Sequence, residues 1–425
     1  MASIPLLLLL FLGLVLPTTA QAEHPFMAAA RHAVDHSPQV RAASASLNAA
    51  SQKNDQARAA FMPTLSASAN QGHATTRWGG GGHSDVNPGG LALSLTQPVY
   101  VRKSLVALEQ TTPYIRAFEL DLLQARQGVV LSTARVWVGL LEAAELLQLA
   151  TKNRDVTRRN LEATQARHQV GEITRTDVSQ AEARLAAAES EVIQAQNSLE
   201  VNRARFAEAV GLPAPEQPAT VDVSHAELDR DLGTLTALIE ERPDLQAARE
   251  RSQVGDLAVE LARADLYPTL AVNAGAGRSW DSRSTPDPTD NASVTASLSW
   301  TLFDGGMAHA NAREARESHN ALLANLDRLR QQARREVEEA WLNLKSARAV
   351  VEAYQATVVA TEAATEGVRQ EFMVGTRTAL DLLDAQNELF KAQTSLARSR
   401  FNTVLARFSL LAALGRLNLD ELTVQ

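Results

Sequence analysis

From Ser293 to Leu302 the chain alternates without a break. Val294, Ala296, Leu298, Trp300 and Leu302 point one way; Ser293, Thr295, Ser297, Ser299 and Thr301 point the other. A period of two is a strand pattern, and about ten residues is the length a tilted strand needs to cross a bilayer. Leu91 to Val99 repeats it, with Leu91, Leu93, Leu95 and Val99 against Ala92, Ser94, Thr96 and Pro98, and Gln97 as the exception. Residues 64–70 and 270–276 alternate more weakly. Phe61 and Tyr267 stand just before the first and third of these strands, and Tyr100 and Phe303 just after the second and fourth. In an up-and-down arrangement all four aromatics share one end, as an interfacial girdle does. A soluble sandwich accounts for the alternation but not for this placement.

Between the strands the pattern changes to that of long helices. Arg102 to His168 is helical, with an interruption and kink expected at Pro113, and Gly305 to Phe372 holds no proline. At 1.5 Å per residue each helix is about 100 Å long, too long for a compact globule. Val337, Ala340, Leu344, Ala347, Val351, Tyr354 and Val358 alternate spacings of three and four, a heptad seam that supercoils against a neighbour.

The chain also repeats itself. "VGEITRTDVSQAEARL" (Val170–Leu185) aligns without a gap on "VGTRTALDLLDAQNEL" (Val374–Leu389), and the same offset pairs Trp137 with Trp341, Leu140 with Leu344 and Gly211 with Gly415. "FMPTL" from Phe61 matches "LYPTL" from Leu266. The expected organisation is a first repeat over 23–215, a connector over 216–240 and a second repeat over 241–425. Each repeat carries a helix, two strands and a long helical hairpin. Residues 1–22 hold an apolar core from Ile4 to Leu16 and an Ala20-Gln-Ala22 cleavage pattern, and read as a secretory signal peptide.

Composition narrows the function. A net charge of −8 argues against a nucleic-acid partner. The absence of cysteine removes a disulfide framework, thiolate chemistry and a lipidated cysteine anchor. No later window offers about 18 uncharged apolar residues, so a membrane span must be made of strands. The glycine-rich stretch from Trp78 to Gly90 lacks a phosphate-loop Lys-Ser/Thr and reads as an external loop, as does Arg278 to Asn291. His73 and His83 are loop histidines without a ligand set, and no nucleophile–base pair or metal-ligand spacing occurs; neither enzymatic activity nor a cofactor is expected. Four strands cannot close a barrel, and a bilayer tolerates no open sheet edge, so copies of the chain must share one wall.

The duplication, "LSLTQPVY", "LSWTLFDGG" and above all "VGTRTALDLLDAQ" resemble the TolC family of outer membrane factors over about residues 24–418. The resemblance implies a homotrimer in the cell outer membrane. Its fold is mainly α: a 12-stranded β-barrel with four strands per chain, continued by a long α-helical coiled-coil barrel in the periplasm. It implies an exit duct for multidrug efflux or type I protein secretion, working with a periplasmic adaptor and an inner-membrane transporter of the RND or ABC type. A metal-exporting member and a non-conducting coiled-coil scaffold are the rival expectations.

By the same resemblance, Asp381 and Asp384 form stacked acidic rings at the pore constriction, where mutual repulsion should raise some carboxylate pKa values. Arg377 is the gate latch, reaching toward Thr176 and Asp177, with Arg400 as a further contact. Phe372 stands where the family carries a hydroxylated aromatic, so that hydrogen bond is lost. Val170, Gly171, Val374, Gly375 and Thr376 match the adaptor-docking tips. Read from the residues alone, the two aspartates are better explained as helix N-terminal acids on a solvated surface.

Overall fold

The computed structural model describes residues 24–281, 287–420 and 422–424. The expected signal peptide lies outside them. Four strands form one antiparallel sheet: β1 (Thr64–Gln71), β4 (Gly89–Val101), β6 (Thr269–Trp280) and β7 (Thr289–Ser299), in that order across the sheet. The loop between β1 and β4 is not featureless. It holds a small hairpin, β2 (Ala74–Arg77) with β3 (His83–Val86), whose β-branched Thr75, Thr76 and Val86 favour extended backbone.

The register turns the alternation into rows that cross all four strands. Leu65, Leu95, Ala274 and Val294 lie directly opposite one another, as do Ala67, Leu93, Ala276 and Ala292. The other face carries the rows Thr64–Thr96–Asn273–Thr295 and Ser66–Ser94–Gly275–Ser293. On that polar face the Ser66 and Ser94 hydroxyls meet at 2.6 Å, and Asn273 accepts from Thr96 and donates to Ser297, both at 3.0 Å. Among the described residues nothing covers the apolar face: Leu65 is 70% and Val294 78% exposed. A register shift between Pro98 and Tyr100 places Tyr100 opposite Leu270, on the apolar face and within the aromatic end of the sheet.

The fourth strand begins earlier than its alternation and stops at Ser299 instead of Leu302. The last pair is Thr269 with Ser299. The next position opposite Trp300 is Pro268, which has no N–H to give, and the Trp300 indole instead donates to the Leu266 carbonyl at 3.0 Å.

Below the sheet the helices form two stacked layers. α1 (Pro25–His36) packs on α3 and leads into α2 (Pro38–Ala59); α3 (Arg102–Gln169) returns through α4 (Arg175–Val210). The connector holds β5 (Val223–Ser224) and α5 (Leu232–Ala237). α6 (Pro243–Arg263), α7 (Met307–Met373) and α8 (Ala379–Ala413) repeat the plan, and β8 (Thr423–Val424) pairs with β5. In the upper layer α2 packs on α3, α3 on α6 and α6 on α7. In the lower layer α4 packs on α3, α3 on α8 and α8 on α7. The 68-residue α3 is not interrupted: it runs unbroken through a buried Pro113, flanked on its two sides by α2 and α6. Of the α7 seam, Val337 and Leu344 are fully buried, Ala340, Ala347, Val351 and Val358 partly so, and Tyr354 is exposed.

The apolar core sits at the middle of the helical layers. Phe26 stacks edge-on against Trp137 and Phe408, with ring centroids 5.8 and 5.4 Å apart, and Trp137 leans on Phe206. The duplicated tryptophans do the same job twice. Trp137 donates to the Ala219 carbonyl at 3.0 Å and Trp341 to the Arg230 carbonyl at 3.3 Å, so each repeat ties the connector against itself. Arg242 closes the belt. Its buried guanidinium bonds Asp244, Glu336 at 2.9 Å and the Ala413 carbonyl at 2.8 Å. Burial opposes its charge, but hydrogen bonds to and the charges of Asp244 and Glu336 outweigh burial and raise its pKa. Arg242→Met leaves these acceptors unpaired. It should cost about 3 kcal/mol and lower the thermal midpoint of the purified protein by about 5 °C, read by circular dichroism in detergent. An unchanged midpoint would show that the belt does not depend on this residue.

Candidate functional site

The two hairpin tips are built alike. Val170 and Val374 end their helices at φ −91° and −93°, and Gly171 and Gly375 follow at φ +81° and +82°. That left-handed turn lets the Glu172 and Thr376 amides reach back to the Arg167 and Glu371 carbonyls, each at 3.0 Å. Val170 and Val374 project outward, 71% and 76% exposed, although a helix C-cap requires no apolar side chain there.

Each returning helix then starts with a capping box. Thr174 accepts from the Asp177 amide while Asp177 accepts from the Thr174 amide, and Thr378 and Asp381 do the same. The Thr378 hydroxyl also donates to Asp381 at 2.8 Å. These bonds, first from the Thr378 side chain and then from its backbone, hold the Asp381 carboxyl below the usual carboxylate range, with Arg377 assisting. Within one chain it is the cap, not a like charge, that acts on Asp381; the ring repulsion expected to raise carboxylate pKa values arises between copies.

Asp384 lies one turn further, on the exposed side of α8, while Leu382 and Leu383 between the two acids are buried. Asp384 is paired: Arg184 of α4 donates to it at 2.6 Å.

The expected latch is arranged differently within the chain. Arg377 bonds Glu371 of its own hairpin at 2.8 Å, Asp177 is engaged by its own Thr174, and Thr176 is exposed, so the Arg377 link to Thr176 and Asp177 is not made inside one chain. Arg400 lies about 30 Å up α8 from Thr378, exposed and without an ion pair among the described residues, and does not join this cluster.

What binds the two hairpins together is a set the sequence pattern did not single out. Arg167 stacks over the Phe372 ring at 4.2 Å and donates to the Phe372 carbonyl at 3.4 Å. The Phe372 ring, which carries no hydroxyl, holds a cation on its face instead. Asn160 donates to Gln386, and Arg184 meets Asp384. A signal for this set existed: the 204-residue offset pairs Arg167 with Glu371 and Arg184 with Glu388, a charge reversal at two positions of otherwise similar hairpins.

The glycine-rich loop brings no ligand set together. His83 pairs with Arg77 at one end of the β2–β3 hairpin, whereas His73 lies beyond the other end and bonds Asn87. Among the described residues no group of three His, Asp or Glu side chains is arranged to hold a metal ion.

The capping box yields a test. Thr378→Ala should cost about 1 kcal/mol locally and speed amide exchange at the start of α8, read by hydrogen-exchange mass spectrometry of the tip peptide. Because the Asp381 pKa is depressed on folding, its contribution is present above the ordinary carboxylate value of about 4 and lost as pH falls through the folded one. Wild-type protection at the tip, corrected for intrinsic exchange, should therefore drop below about pH 4, and the variant should show little of that dependence.

Comparison with known proteins agrees with this geometry. The family profile described as outer membrane efflux protein matches residues 29–212 and 234–416, one match per repeat. The outer membrane efflux protein BepC of Brucella suis biovar 1 is 29% identical over 72% of this chain and 67% of its own length. The outer membrane protein TolC of Vibrio cholerae is 25% identical over 91% of this chain and 89% of its own. In fold the chain matches the outer membrane protein VceC of Vibrio cholerae, with a TM-score of 0.78 over 92% of this chain and 96% of that one, at 22% identity. With each of its two repeats matched in turn, the chain belongs to the outer membrane efflux protein family.

Proposed function

We propose that three copies of this chain close into a single exit duct, with the sheet in the outer membrane and the helical hairpins reaching into the periplasm. The observation that carries this reading is the layering. In the sheet, the upper helices and the lower helices, the chain supplies four elements side by side, with one edge from each repeat: β1 and β7, α2 and α7, α4 and α7. Edges of unlike origin join head to tail and close into a ring. Backbone groups left unpaired on β1 and β7 would cost several kcal/mol each in hydrocarbon, which drives that closure. Two copies would give about eight strands, an interior that ordinary side chains fill; three leave a water-filled bore lined by the Ser, Thr and Asn rows.

The helical edges are matched for the same joint. Ile193 and Val201 on α4 are exposed apolar side chains, and so are Val350, Tyr354 and Val359 on α7 at similar heights above the tips. The tips at Val170–Gly171 and Val374–Thr376 are the docking points for a periplasmic adaptor, which in turn couples the duct to an inner-membrane transporter. Asp381 and Asp384, on the inner hairpins, form the constriction, and Arg377 with Glu371 shapes its mouth.

Two measurements test this. Light scattering in detergent should give the mass of three chains, and planar bilayers a small cation-selective conductance. Asp381→Ala with Asp384→Ala should weaken cation selectivity and block by multivalent cations, and Arg377→Ala should raise conductance. A monomer without channel activity would overturn the duct; selectivity unchanged by loss of both aspartates would move the constriction elsewhere.

A further inference from the structure

We propose that Arg184 sets the ion selectivity of the duct by cancelling the charge of Asp384 while the two hairpins of a chain lie together, so that Asp384 joins the constriction as a net negative charge only when they part. This rests on the reading of Asp381 and Asp384 as the constriction.

The two acids are held in different ways. Asp381 spends its acceptors on Thr378 at the start of its own helix, so its position and charge travel with the inner hairpin whatever the outer one does. Asp384 has no capping role. Its ion-pair partner is Arg184, on the other hairpin, at 2.6 Å. Arg184 lies about one turn further from its tip than Asp384 does from its own. Side chains on a helix lean toward its N-terminus, here toward the tip, and the length of an arginine spans that difference. The bond therefore needs α4 and α8 at their present relative height and separation.

The pair is not an inheritance of the duplication. The 204-residue offset places Gln180 opposite Asp384 and Glu388 opposite Arg184, so acid and base were each introduced in one repeat only. Arg167 and Glu371 show the same reversal. At these two positions the outer hairpin is basic where the inner one is acidic. Arg167 on Phe372 and Asn160 on Gln386 join the same two hairpins, so any movement that parts them also separates Arg184 from Asp384.

A carboxylate bonded to a guanidinium acts at a distance as a small dipole. Freed, it acts as a full charge whose field reaches about 8–10 Å in physiological salt, enough to span a narrow pore. Opening would thus change the charge of the constriction as well as its width.

The test is a set of bilayer recordings on full-length protein with La3+ as the blocking cation. Arg184→Gln should raise the K+/Cl− permeability ratio about threefold and lower the La3+ concentration for half block about tenfold, as expected for unmasking charge in a narrow pore. Arg184→Lys, which keeps the charge, should stay near wild type. In an Asp384→Asn background, Arg184→Gln should change neither quantity, because the effect passes through that pair. A rise in conductance with unchanged selectivity would overturn the proposal and leave Arg184 a mechanical tie. So would an equal effect with and without Asp384. If removing both aspartates leaves La3+ block unaltered, the constriction itself is misplaced, a result distinct from either of these.

Discussion

A sheet of four strands has two edges, and in hydrocarbon an edge cannot be left open. This constraint organises the rest of the molecule. The free N–H and C=O groups of β1 and β7 have no water to turn to there, and in the proposed trimer they meet the edges of other copies. Once the sheet closes into a ring, every layer below it must close with the same symmetry, because the helices continue directly from the strands. The chain meets this requirement by repeating itself. The contact between β4 and β6, or between α3 and α6, joins the end of one repeat to the start of the next inside a chain. In the proposed trimer the same kind of contact between chains closes the ring. Duplication therefore supplies the complementarity that a ring needs.

The helical part answers a second problem, that of holding helices about 100 Å long in a wall one layer thick. A single layer has no central core to bury apolar faces, so stability is concentrated where a second layer exists. The connector, α1 and the C-terminal segment form that second layer around Phe26, Trp137, Phe206 and Phe408. Arg242 and the two indole hydrogen bonds fasten the connector at both repeats. Away from this belt, toward the tips, burial thins to scattered residues such as Val178, Ala181 and Leu383 and a small cluster of Phe372, Ala379 and Leu382. The tips are thus the part held least by apolar packing and most by polar bonds, which suits a region that must move.

Much of this was legible in the sequence. Strict alternation in β4 and β7 and the heptad seam of α7 are local signals, and the repeat is visible without any structure. The strand ends were less so, because the stop at Ser299 depends on Pro268, just before the start of the partner strand, rather than on β7 itself. Pro113 is a similar case: the sequence predicts an interruption, whereas α3, packed between α2 and α6, continues through it. At the site, the tip glycines and aspartates stood out because they recur. Arg167, Arg184, Asn160 and Gln386 did not, because they join segments about 200 residues apart and differ between the repeats.

That contrast separates the structural inheritance of the duplication from what was added to it. Where the two repeats must do the same thing, they have kept the same residue: a tryptophan that holds the connector, a glycine that turns the tip, a Thr–Asp box that restarts the helix. Where one hairpin must face the other, identical residues would set like charge against like charge. At Arg167 and Glu371, and again at Arg184 and Glu388, the copies have moved to opposite signs. In a ring of identical hairpins every hairpin would stand in the same relation to the axis. Charge divergence between the repeats gives the two hairpins unlike surfaces, so that one set can approach the axis while the other remains its counter-charge.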